Sequence, residues 1–195
     1  AASDVYKRQE LVSWNWTSCE GKVMKVNVYS RSPKVKLYLN DKLIGEKETG
    51  KENYTATFDV PYEPGTLKAV NSKGKEEFVL KTAGAPAAIR LIADRSKIKA
   101  CKNDLSYVKI ELVDKNGNVV PETSLPVKIE CTGKGTVIAG GNAAYADMES
   151  FRSLTPNTFR GKAIAIVQPD GEKGDIQVKV SAKGLEDASI VITTY

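Results

Sequence analysis

Alternation of apolar and polar side chains, broken every few residues by turn formers, leaves this chain little choice but to fold as sheets. Met24, Val26 and Val28 share one face of a strand while Lys25 and Asn27 share the other. Val35, Leu37 and Leu39 repeat the pattern against Lys34, Lys36 and Tyr38. Each such stretch is a half-buried strand. Asn40-Asp41, set between Leu39 and Leu43, reads as a tight hairpin turn, because both residues tolerate positive φ. Further strands are expected at Leu11 to Trp16, Leu43 to Glu46, Tyr54 to Val60, Thr66 to Val70 and Glu76 to Lys81. About seven short strands in so few residues is the pattern of an immunoglobulin-like or fibronectin-like sandwich.

At Thr82 to Pro86 the alternation gives way to small residues and a proline, as at a joint between domains. A second set of strands follows at Ala87 to Ala93, Lys97 to Ala100, Ser106 to Val113, Val127 to Cys131, Lys162 to Gln168, Asp175 to Ser181 and Ala188 to Thr193. No stretch sustains a 3.6-residue period. The expected fold is therefore all-β: two consecutive immunoglobulin-like or fibronectin-like sandwiches, at residues 10–83 and 84–195. Residues 1–9 fit no strand pattern and read as a foreign leader.

One segment breaks the rhythm. Between Val137 and Lys162 more than twenty residues pass without clear alternation, and loops that long are often functional. They include Tyr145, Met148, Phe151, Arg152, Phe159 and Arg160, candidates for a glycan or interdomain contact. The alternative is that Met148, Phe151 and Phe159 tuck under the loop, or dock on a neighbouring domain.

The chemistry on offer is narrow. There is no histidine, which removes imidazole-based triads, imidazole proton shuttles and most zinc sites. Asp114-Lys115-Asn116-Gly117-Asn118 imitates the start of a calcium loop, but Val119 and Leu125 stand where that motif needs glycine and a bidentate glutamate. Asn116-Gly117 reads as a turn instead. No glycine-rich phosphate loop precedes a helix, so no cofactor is expected. Cys19, Cys101 and Cys131 show no paired spacing; Cys101 and Cys131 could pair, and buried free thiols are the simpler reading. The net charge of +5 is spread over single lysines rather than a stripe, which argues against nucleic acid as a partner. No apolar run exceeds Ala163 to Val167, far short of the roughly 18 residues of a membrane helix, and no membrane partner is expected.

The stretches Trp14-Asn15-Trp16, Val26-Asn27-Val28-Tyr29-Ser30-Arg31, Val35 to Asn40 and Pro61 to Val70 resemble the region just after the catalytic barrel in glycoside hydrolase family 2 enzymes, most often bacterial β-galactosidases. The resemblance continues through Lys81 to Gly84, Pro86 to Leu91, Asp94 to Ser96, Val113 to Pro121 and Asp147 to Phe151, and so spans roughly residues 10 to 193. The second block also resembles a bacterial immunoglobulin-like domain of the invasin type.

The resemblance implies accessory C-terminal sandwiches of a retaining β-glycosidase, in a periplasmic, secreted or cell-surface setting. Their partner would be the catalytic barrel, with poly- or oligosaccharide as a further one. Retaining hydrolysis needs two carboxyl groups about 5 Å apart. In the family the acid/base glutamate follows an asparagine, and no Asn-Glu dipeptide occurs here. Catalytic residues are therefore expected to be absent from this stretch. Carbohydrate-binding modules and surface spacer domains are the rival readings. On an expected strand Trp14 and Trp16 would point the same way, either stacking on sugar as a coplanar pair or packing where the barrel would enter; packing is the reading favoured here.

Overall fold

The computed structural model describes residues 10–195, so the leader reading of residues 1–9 lies outside the described residues. The chain divides into two compact units after Thr82. All regular structure among the described residues is β, and no helix there is long and apolar enough to cross a membrane.

The first unit contains β1 (Val23–Tyr29), β2 (Lys34–Leu39), β3 (Lys42–Glu48), β4 (Thr55–Pro61), β5 (Thr66–Asn71) and β6 (Glu77–Lys81). Antiparallel pairing gives a four-stranded sheet, β3-β2-β5-β6, and a two-stranded one, β1-β4. Alternation does what the sequence promised: Val35, Leu37 and Leu39 of β2 and Ala56, Phe58 and Val60 of β4 are buried in one core. Asn40 and Asp41 carry φ of 49° and 63° and turn β2 into β3. Their short polar side chains tolerate this left-handed backbone better than a β-branched residue would.

Residues 11–16 form no strand. Among the described residues the smaller sheet thus has two strands against four, and the irregular arm at 11–16 packs on the same core. Its anchor is Trp14, 2% exposed, whose ring meets Tyr62 edge to face at a centroid distance of 5.1 Å.

The second unit holds β7 (Ala88–Ala93), β8 (Lys97–Ile98), β9 (Ser106–Val113), β10 (Lys128–Gly133), β11 (Gly135–Gly141), β12 (Lys162–Pro169), β13 (Gly174–Ser181) and β14 (Ala188–Thr194). They form two four-stranded sheets, β11-β12-β9-β7 and β10-β13-β14-β8, antiparallel except for the short parallel pair β14 and β8. Val108, Ile110 and Leu112 of β9 meet Ile176, Val178 and Val180 of β13 in the core between them.

β11 went unread in the sequence. Gly135, Gly140 and Gly141 erase its alternation, and a bulge between Val137 and Ala139 shifts its register on β12, so two successive residues oppose one on the partner strand. No disulfide forms among the described residues: Cys19 and Cys131 are half-buried, and Cys101 is exposed rather than buried.

Each unit has its own apolar core. Residues 10–82 and 83–195, produced separately, are therefore expected each to melt in a single cooperative transition. Thermal denaturation followed by circular dichroism checks this, and a half without a transition would contradict it.

Candidate functional site

The eight aromatic, methionine and arginine candidates fall into three unlike settings. Trp14 and Trp16 belong to the arm of the first unit. The Trp14 indole Nε1 donates to the Glu63 carbonyl at 3.0 Å, and the Trp14 carbonyl accepts from the Thr82 hydroxyl at 2.7 Å. Trp16 is half-buried, and its backbone N–H donates to the Tyr62 hydroxyl at 3.2 Å. The coplanar pair expected of a strand is not formed, because the segment is not a strand. Trp14 fills its own unit's core and has no open face for a sugar ring.

Phe159 and Arg160 sit in a tight turn into β12. Phe159 and Lys162 exchange backbone hydrogen bonds, Arg160 and Gly161 take φ of 52° and 71°, and the Arg160 guanidinium lies 5.4 Å from the Phe159 ring centre. This pair stabilises a turn.

Tyr145, Met148, Phe151 and Arg152 remain, and these the loop does present. Tyr145 is 97%, Met148 95% and Phe151 71% exposed, so Met148 and Phe151 do not tuck beneath the loop.

The long segment is far from structureless. Its return half runs beside 125–129: the Val127 and Ile129 N–H groups donate to the Pro156 and Leu154 carbonyls, and Thr158, buried, exchanges backbone and hydroxyl bonds with Leu125. The outgoing half is held by its own polar side chains. Asn142 donates to Asp147 and to the Asn157 carbonyl, Asp147 accepts the Glu149 N–H, and Glu149 accepts from the Asn157 amide. A small cavity of about 30 Å³, room for about one water, lies among Gly141, Asn142, Asp147, Glu149 and Phe151. The polar groups face each other and the apolar ones face solvent.

Two acidic groups among the described residues are buried, and both are fully engaged. Glu111, on the outer face of β9, accepts two hydrogen bonds from Arg90, at 2.9 and 2.6 Å, and lies 3.3 Å from Lys109 and 4.0 Å from Lys162. Burial works against its charge, but the Arg90 and Lys109 contacts prevail and hold its pKa below the ordinary glutamate value. Asp114 sits in the turn expected at Asn116-Gly117. Burial again opposes ionisation, yet N–H groups of Gly84, Asn118 and Asn116 and the Asn118 side-chain amide all donate to it, and its pKa falls to about 2. Neither carboxylate is free to act as nucleophile, general acid or metal ligand. The sequence flagged Asp114 only as half of a broken calcium motif, and Glu111 not at all, since a charge at an outward position usually means solvent.

Comparison with known proteins gives a consistent picture. Residues 89–191 match the model of glycoside hydrolase family 2 C-terminal domain 5, and residues 21–78 match a domain of unknown function, DUF4982. The chain is 32% identical over 183 residues to the β-galactosidase BoGH2A of Bacteroides ovatus, covering 92% of this chain and 21% of that protein. A glycosyl hydrolase family 2 member from Bacteroides cellulosilyticus superposes with a TM-score of 0.89 at 38% identity, covering 95% of this chain and 24% of that one. A β-glycosidase from Bacteroides vulgatus gives a TM-score of 0.87 at 27% identity, covering 94% and 24%. The chain thus spans about a fifth to a quarter of the length of these relatives.

The settings of these side chains separate their mutational costs. Trp14→Ala is expected to cost about 3–5 kcal/mol of first-unit stability, whereas Tyr145→Ser and Met148→Ser stay within about 0.5 kcal/mol of the parent; denaturant titrations distinguish them. Asp114 contributes only while ionised. With its folded pKa below the unfolded one, that contribution is complete above about pH 4 and is lost as pH falls toward 2, a difference of roughly 2 kcal/mol. Asp114→Ala should therefore be less stable than the parent at neutral pH, with the gap narrowing below pH 4 in melts run across that range.

Proposed function

The chain belongs to glycoside hydrolase family 2, and from that premise we propose that it serves as the non-catalytic C-terminal accessory region of a β-galactosidase-type enzyme. In this reading the enzyme hydrolyses terminal β-glycosidic bonds with retention, on a barrel elsewhere in the polypeptide, outside the inner membrane. The observation that carries the proposal is the coverage: 92% of this chain aligns with only 21% of the Bacteroides ovatus β-galactosidase.

The side-chain chemistry supports it. A retaining glycosidase sets two carboxyl groups about 5 Å apart in a cleft open to substrate, whereas the buried acids here, Glu111 and Asp114, are consumed by cations and backbone N–H groups. The accessory role is bracing. Tyr145, Met148 and Phe151 stand on a loop stiffened by its own hydrogen bonds, and rigid apolar tips of this kind suit packing against a protein surface. Sugar hydroxyls would ask for free polar groups beside the rings, and Asn142, Asp147 and Asn157 already bond one another or the loop backbone. Protein packing is therefore favoured over a glycan platform.

On this reading the purified 195-residue chain leaves chromogenic β-galactosides and β-glucuronides intact. Turnover above a heat-killed control that disappears on changing a single glutamate would overturn it. Saturable binding to a defined oligosaccharide, lost on deleting 145–151, would instead favour a carbohydrate-binding module.

A further inference from the structure

The two sheets of the second unit present outer faces of different kinds. On β10-β13-β14-β8 the outward positions include Lys128, Glu130, Gln177 and Lys179, and the pairs Lys128–Glu130 and Lys179–Asp187 lie across this polar surface. On β11-β12-β9-β7 the register sets Ile92, Lys109 and Ile164 in one row, and Tyr107, Ile166 and Ala139 in the next. Ile92, Tyr107 and Ile164 are exposed. Lys109 interrupts the first row only nominally: its ammonium is drawn to Glu111 at 3.3 Å, so its aliphatic stem faces outward between the two isoleucines.

The same row runs on into the loop. Gly141 pairs with Ile164, and Phe151 lies over Gly141 so closely that a Cβ there would stand 2.9 Å from the ring. Any larger residue at 141 displaces the ring. A glycine at the strand end and an aromatic ten residues later thus extend one apolar strip from Ile92 to Phe151, although the sequence shows them as unrelated.

Contiguous apolar surface of this kind, with a charged rim, is characteristic of a protein docking site. On one flank of the strip Arg90, Lys162 and the Lys109 ammonium gather around the single carboxylate of Glu111, a net positive cluster, while Asp147 and Glu149 lie at the Phe151 end. A second copy laid on this face with its Glu111 cluster opposite this one would bring like charges together. The relatives, by contrast, carry three-quarters or more of their chains outside the stretch matched here.

We propose that the outer face of β11-β12-β9-β7, together with Phe151, docks on the remainder of a family 2 chain, at an apolar patch edged by carboxylates. This rests on the accessory reading above and adds to it a specific face and the partner's charge.

The probe is the Bacteroides cellulosilyticus family 2 member produced without the segment that this chain matches, with its own cooperative melt verified beforehand. Sedimentation of the 195-residue chain with this probe is expected to show a complex, and hydroxyl-radical footprinting to show Tyr107, Phe151 and Ile164 protected in it. The double variant Phe151→Ser, Ile164→Asp, checked to melt like the parent, should bind about ten-fold more weakly or worse. Val191→Ser, on the opposite sheet, should bind as the parent does. A complex with those three residues still labelled, or undiminished binding by the double variant, overturns the face and leaves the accessory reading standing. A chain that dimerises alone through these residues overturns the choice of partner. Absence of a complex with a folded probe overturns the docking proposal and leaves the accessory reading, which rests on coverage and on the engaged carboxylates, to the turnover assay above.

Discussion

A sheet with one apolar face has to close that face against something, and in this protein each sandwich solves the requirement differently. The second unit has two four-stranded sheets and closes evenly, with β9 and β13 meeting at its centre. The first sets two strands against four. Its deficit is made up by Trp14, whose indole supplies apolar area while its Nε1 still finds an acceptor in Glu63. A tryptophan suits the place because a buried ring of that size contributes heavily, and an unpaired indole N–H would cost part of the gain. Tyr62 is the other half of the closure, its ring packing edge to face with Trp14 and its hydroxyl accepting from the Trp16 N–H of the arm.

Charge follows the same logic of closure. Glu111 and Asp114 are both buried, and each is surrounded until its ionised form is favoured despite desolvation. Arg90 joins them, since it binds Glu111 and also donates to the Gly117 carbonyl in the turn that Asp114 organises. These carboxylates hold backbone and strands in place. The loop at 142–158 inverts the usual order: polar side chains satisfy one another inside it, while Tyr145, Met148 and Phe151 face water. Exposed apolar tips on a loop bonded to itself are the kind of surface that marks a protein contact.

Much of the fold was legible from alternation alone. The strands around Val26, Leu37, Phe58, Ile110 and Val178 announced themselves, as did the turns at Asn40-Asp41 and Asn116-Gly117, because period-two patterning and turn chemistry are local properties. The stretches from Trp14 to Phe151 that resemble family 2 glycosidases were likewise readable without coordinates. β11 was hidden because its glycines carry no side chains to alternate, and the return half of the long segment because Pro156 and Thr158 are held by pairing with residues some thirty positions earlier.

By itself, then, the sequence determined an all-β chain, its turns, its lack of imidazole chemistry and its kinship. Tertiary structure decided what became of the conspicuous residues. Trp14 went into the core and not onto a strand face, Glu111 was drawn under three cations on a surface position, and Phe151 came to rest on Gly141 at the end of an apolar row. The physical reason is the same in each case: burial, ion pairing and ring packing depend on partners distant in sequence, and only closure of the sheets brings those partners within reach.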